Sequence, residues 1–249
     1  MATFFSARSQ ALFDNILWLP QEGATTGPTG RPPNSYAYLL PGRSILVDAV
    51  YSWTIAGIAA VADAGHPPAA FVLTHAHVAA LGDGFEAIRS AYGCPFLLHL
   101  ADAEHPAAKR TGIPFMDPLS SRELKDAGLE VIAMPFHTPG SIMLHTPRHD
   151  GVLFAGDSAV GPGPKQPAEP PRLERPEVGT PEEDVLFRQA WEGVAERRFA
   201  SSVLPLHGTP YVRRADIKVL LEHLGTGPAM NPLAPSVEAG EQLEASGVA

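Results

Sequence analysis

The chain has 249 residues, 45% of them hydrophobic and 18% charged, enough to bury the core of one large α/β domain or two small ones. Its formal net charge of -9 argues against nucleic acid as a general partner. One cysteine, Cys94, excludes an intrachain disulfide framework, and no stretch approaches the roughly 18 consecutive apolar residues of a membrane span. Cys94 reads as a small buried apolar residue. The opening "MATFFSARSQ" has no basic region followed by an apolar run, so the expectation is a cytoplasmic protein with no membrane attachment.

In chain order, Ile16–Leu19, Ser35–Leu40 and Ser44–Val50 read as strands, with Pro41-Gly42 as the hairpin turn between the last two. Residues 20–33 form a flexible loop between the first two. Ser52 caps a helix through about His66, which Pro67-Pro68 ends. Ala69–Leu73 is a buried strand, Gly84–Tyr92 a short helix, and "PFLLHL" a strand followed by a polar, irregular stretch to Ser120. "SSRELKDAG" is helical. "LEVIAMP", "SIMLHTP" and "GVLFAGD" are strands, the last two joined through "RHD" as a hairpin. Residues 161–181 carry seven prolines and read as a loop or lid. That segment ends in a capping box at Thr180, Pro181 and Glu183, which opens a helix to about Arg198 with Phe187, Trp191 and Val194 on one face. "SSVLPLHG" is a last strand and loop, and "RADIKVLLEHL" a last helix. The order predicts an α/β domain with two sheets covered by helices, and a disordered tail over residues 225–249.

Of ten histidines, His66, His105, His149 and His223 lie in polar loops or helix ends and read as solvated. His99 and His145 lie in apparent strands and read as structural. The other four stand apart. His75 and His77 follow "AAFVL", His137 follows "LEVIAMP", and His207 follows "SSVLP". Asp157 follows "GVLFAG" in the same way. In α/β folds the carboxyl ends of strands gather at one edge, where ligands bind. Residues two apart on an extended chain face one side, so His75 and His77 can share a centre. Neutral imidazoles with a carboxylate suit zinc, and also iron or manganese. A water at a free position on zinc has its pKa lowered to about 7.

These motifs together resemble the metallo-β-lactamase fold superfamily. The resemblance runs over about residues 12–224 and rests on five separated elements: Asp48 in "ILVDAV", "THAHVAA" against T-H-x-H-x-D-H, His137 in "HTPGS", Asp157 in "LFAGDS" and His207 in "LPLHG". It implies a single domain over residues 1–224, built as a four-layer αββα sandwich with the site at one edge. It also implies that His75, His77, His137 and Asp157 bind one divalent metal ion, zinc first. Asp157 and His207 become the catalytic candidates, and Asp48 supports the histidine loop from behind. Ala79 stands where the family has aspartate and Ala80 where it has histidine, so only His207 and a share of Asp157 remain for a second metal. Asp83 reads as a solvated loop carboxylate.

Three functions follow from that pattern. The first is a metal-dependent hydrolase of small molecules with one metal position kept and the second lost. The second is a mononuclear iron dioxygenase acting on thiol-derived substrates. The third is a non-catalytic relative of the fold. The substrate and the oligomeric state are not written in the sequence.

Overall fold

A computed structural model describes residues 9–19, 21, 24, 32–162, 172–173, 181–213 and 217–222. Four antiparallel strands come first: β1 (Gln10–Phe13), β2 (Ile16–Trp18), β3 (Tyr36–Leu40) and β4 (Arg43–Val47). After α1 (Ile55–Asp63), strand β5 (Pro68–Val72) lies parallel to β4. Helices α2 (Ala76–Leu81) and α3 (Phe85–Tyr92) lead to β6 (Phe96–Leu97). Helices α4 (Leu100–Ala103) and α5 (Pro106–Arg110) lead to β7 (Phe115–Met116). These strands make a seven-stranded sheet in sequential order. Helix α6 (Arg122–Ala127) passes to a second sheet made of β8 (Glu130–Ala133), β9 (Ile142–Thr146) and β10 (Val152–Gly156). A ribbon of β11 (Ala159–Val160) and β12 (Arg172–Leu173) and helix α7 (Pro181–Arg197) precede β13 (Ser202–Pro205), which joins parallel to β10. Helix α8 (Ile217–Glu222) follows.

Strand alternation builds the layers. On β3 and β4, Tyr36, Tyr38, Ile45 and Val47 face one way and meet Ile142, Leu144, Val152 and Phe154 of the second sheet. Phe154 lies edge-on to Tyr36 at 5.7 Å and to Tyr38 at 6.4 Å between ring centroids. The alternate residues Ala37, Leu39, Leu46 and Phe71 face outward and pack on Ile58, Val61, Phe85 and Ile88 of α1 and α3. On the second sheet, Met143, Leu153, Ala155 and Val203 face outward against Phe187, Trp191 and Val194 of α7 and Ile217 and Leu220 of α8. Three apolar layers separated by two sheets, with helices outside, make an αββα sandwich.

Several local expectations change. Ser52 begins a short 3-10 turn, and α1 starts only at Ile55. Ser52 does not cap the helix: its N–H and hydroxyl both go to the Asp83 carboxylate, at 2.7 and 2.8 Å. Asp83 is the exposed loop carboxylate expected, and it also anchors that turn. "PFLLHL" is a strand only at Phe96–Leu97, because Pro95 precedes it and His99 caps α4 through a bond from the Ala101 N–H at 3.2 Å. The stretch read as irregular up to Ser120 holds α4, α5 and β7. The six residues of α2, which include Ala79 and Ala80, form a helix where the sequence suggested no element. Arg172–Leu173, within the expected lid, pairs as a strand with Ala159–Val160. Thr180 of the capping box, His223, the remainder of residues 163–180 and the tail from residue 225 lie outside the described residues.

Candidate metal centre

The two sheets bring the carboxyl ends of β4, β5, β8, β10 and β13 to one edge; β5 delivers His75 and His77, and each of the others delivers one of the residues singled out above. The sheets are stitched there by the Ile142 N–H, which donates to the Thr74 carbonyl at 2.9 Å. Asp48, in a left-handed backbone conformation at φ 52, turns its carboxylate back to accept the Thr74 N–H at 2.8 Å and the Thr74 hydroxyl at 3.0 Å. A hydroxyl has one proton. Having given it to Asp48, Thr74 Oγ1 can only accept from His75 Nδ1, 3.1 Å away. With the His75 proton on Nδ1, the Nε2 lone pair would face the centre.

The imidazoles of His75, His77 and His137 converge, with their ligand atoms all within 4.8 Å of one another. The rings stand nearly perpendicular to each other, with centroids 4.7 to 5.2 Å apart. His77 Nδ1 and His137 Nε2 are 3.0 Å apart. Asp157 Oδ2 lies 3.4 Å from His75 Nε2, 3.5 Å from His137 Nε2 and 3.7 Å from His207 Nε2. Nitrogens bonded at 2.0 to 2.1 Å to one tetrahedral ion stand about 3.3 Å apart, and the donor atoms of His75, His77 and His137 are close enough together that they could hold one. The donors' own bonding agrees. Asp157 Oδ1 and His207 Nδ1 are buried without a hydrogen-bond partner among the described residues, and His75 Nε2 has no polar contact there closer than Asp157 Oδ2 at 3.4 Å. Buried polar atoms are seldom left so unless something else satisfies them.

The electrostatics favour neutral imidazole on the outer two rings. Burial, then repulsion from His75, pushes His137 down to about 3 and His77 below its usual value. Burial alone would lower His75, but Asp157, Asp48 and Asp102 outweigh it and raise it. Burial opposes ionisation of Asp157, yet His207, His75 and His137 hold it well below the usual carboxylate range. Asp48 is pushed up to about 7 by burial, against the opposing bonds from Thr74. Neutral histidine and ionised aspartate are the metal-binding forms.

A model of the family described as the metallo-beta-lactamase superfamily matches residues 28–199. The chain belongs to the metallo-beta-lactamase superfamily. No curated protein matches it. Solved metallo-beta-lactamases share its fold at low identity. The enzyme from Erythrobacter litoralis is 19% identical, over 87% of this chain and 95% of that one, with a TM-score of 0.61. The enzyme from Hirschia baltica is 18% identical, over 87% of this chain and 95% of that one, also at 0.61. FIM-1 from Pseudomonas aeruginosa, solved in a mono-zinc form, is 20% identical, over 90% of this chain and 96% of that one, at 0.61. Superfamily members typically bind divalent metals, and this histidine cluster can hold one.

Around this superfamily centre, Ala79 is buried in the apolar cluster with Val50, Val78 and Phe85, and Ala80 is exposed. Two histidines read as solvated are not. His149 stacks on Phe13 at 4.5 Å, and His66 Nδ1 is 2.7 Å from the Leu40 carbonyl. His105 is exposed, but it caps α5 and its ring meets His77 edge-on at 6.1 Å. His145 lies in β9 as expected, buried, with Nε2 3.1 Å from the Phe199 carbonyl. Sequence reasoning passed over Asp102, a buried carboxylate bonded to both histidine loops. Its only signal was an acid placed just after an apolar strand.

Proposed function

We propose that this protein is a metal-dependent hydrolase of small molecules that works with one divalent ion, zinc first, held by His75, His77, His137 and Asp157. The observation that carries the reading is the set of 3.4 to 3.5 Å separations between Asp157 and two of the clustered imidazoles, with His75 Nε2 and Asp157 Oδ1 otherwise unpartnered. A bound ion would supply Lewis-acid polarisation of a carbonyl or phosphoryl oxygen and an acidified water. The chain supplies the rest. His77 and His137 stay neutral through burial and mutual repulsion, which keeps their lone pairs available. Asp157 keeps a negative charge beside them. His207 Nε2, 3.7 Å from Asp157, is placed to take up or return a proton, or to contact substrate.

Support for a single ion comes from the alanines. Neither Ala79 nor Ala80 has a side-chain donor, and Ala79 is committed to the core. The mono-zinc form described for FIM-1 shows that the fold accommodates one metal in that protein. The same alanines favour a second reading, a non-catalytic relative. Metal analysis of protein purified without added metal, followed by zinc titration, tests the first part, with about one equivalent expected. A screen of thioester, phosphodiester and lactone substrates tests the second. A rate abolished by His137→Ala supports the hydrolase. No uptake on titration overturns it, and uptake without any rate favours the non-catalytic relative. Oxygen consumption with persulfides under iron loading would point instead to a dioxygenase.

A further inference from the structure

The clustered histidines sit on two separate segments, residues 74–77 after β5 and residues 134–141 between β8 and β9. One side chain touches both. Asp102 Oδ2 accepts the Ala76 N–H at 2.7 Å and the Thr138 hydroxyl at 2.5 Å, and Oδ1 accepts the Gly140 N–H at 2.8 Å. Ala76 lies between His75 and His77, and Thr138 follows His137. The partners are 26 to 38 residues away along the chain.

Asp102 is only 1% exposed, and no cation pairs with it among the described residues. Its two carboxylate oxygens accept those three hydrogen bonds. A buried carboxylate is expensive unless fully hydrogen-bonded, and here each bond reaches a histidine segment rather than its own helix. The approach is also tight. A Cβ on Gly140 would stand 2.6 Å from Asp102 Cγ, so the second segment reaches the carboxylate only because residue 140 is glycine.

We propose that Asp102 is a positioning residue that sets the spacing of His75 and His77 against His137 and thereby the metal affinity of the centre. The proposal rests on the one-metal reading above. Asp102→Asn keeps the shape but turns an NH2 toward an N–H donor, so the Ala76 or the Gly140 N–H loses its acceptor. Thr138→Val removes the bond to Asp102 and the 2.8 Å bond between the Thr138 and Ser141 hydroxyls, and leaves both backbone donors to Asp102 satisfied.

The test is competition of purified wild type, Asp102→Asn, Thr138→Val and the double variant against a chelator for Zn2+. Co2+ absorption spectra and metal-free thermal melts accompany it. The dissociation constant is expected to rise ~10- to 100-fold in Asp102→Asn and less in Thr138→Val, with a changed Co2+ spectrum. The double variant is expected to fall short of the product of the single effects. A merely structural role would lower the melting temperature and leave the affinity of the folded protein and its spectrum alone. Wild-type uptake with unchanged affinity in the variants overturns the proposal and leaves the one-metal reading standing. If Asp102→Asn does not fold, Thr138→Val decides by the same criterion. No uptake by the wild type overturns both.

Discussion

Asp48 accepts both donors of Thr74, the N–H at 2.8 Å and the hydroxyl at 3.0 Å, across 26 residues of chain. This pairing ties the end of β4 to the end of β5 and fixes the orientation of the histidine that follows. Asp48→Ala leaves the buried Thr74 N–H without an acceptor and puts alanine at φ 52. The orphaned donor costs about 1–3 kcal/mol, and the left-handed backbone adds to it. Urea unfolding should therefore show a loss of about 2–4 kcal/mol. Asp48→Asn should lose less, since asparagine tolerates that backbone and keeps one acceptor. Equal stability of all three proteins would remove Asp48 from its supporting role.

Gly156 makes this arrangement possible from the opposite sheet. It has φ +53, and a Cβ there would stand 2.7 Å from Thr74 Oγ1 and 2.8 Å from Thr74 Cβ. Gly156→Ala is expected to cost about 2 kcal/mol or more, combining strained backbone with a contact against a buried threonine. Because Asp157 is the next residue, zinc affinity should fall in the same variant. A melting temperature equal to wild type would contradict the packing described here.

Ala79 belongs to the core beside Val50, Val78 and Phe85. Ala79→Asp would place a carboxylate among apolar side chains. Metal-free protein should lose about 2–4 kcal/mol of stability or titrate that carboxyl upward. Thermal melts with and without excess zinc separate two outcomes: recovery on adding zinc means the new carboxylate reaches a second ion, and no recovery means the core position cannot serve one. An unchanged metal-free melt would mean that the position is not buried as described.

The Cys94 thiol is pushed up to about 11 by burial. It is therefore protonated at neutral pH in the folded protein, and alkylation by iodoacetamide at pH 8 should be much slower than in urea. The stabilising difference is present below the ordinary thiol value of about 9 and fades as pH rises toward 11. Equal labelling rates in the folded and unfolded protein would refute this.

Much of the site was legible because its signals are local. An apolar run that ends in a histidine or aspartate can be read wherever it occurs; the element order gave two sheets covered by helices, and the αββα layering came from the resemblance that those motifs carry. "SIMLHTP" and "GVLFAGD" pair as the expected antiparallel hairpin, Leu153 opposite His145. "PFLLHL" misled because its apolar residues serve two elements, a two-residue strand and the start of α4. The helix at Ala76–Leu81 was hidden because "AHVAAL" is short, carries no capping residue and reads as a metal motif with two ligands missing.

By itself, the sequence determined which ionisable groups end which strands, and that two expected ligands are alanines. Only the tertiary structure decided their company. Asp102 meets segments 26 to 38 residues away, and His105 at the start of α5 meets His77 of α2. Ala79 turns into the core while its neighbour Ala80 faces solvent. Such pairings depend on how two sheets stack and how the loops close over their shared edge. Those are sums of many weak contacts between distant residues, and no short stretch of the chain encodes them.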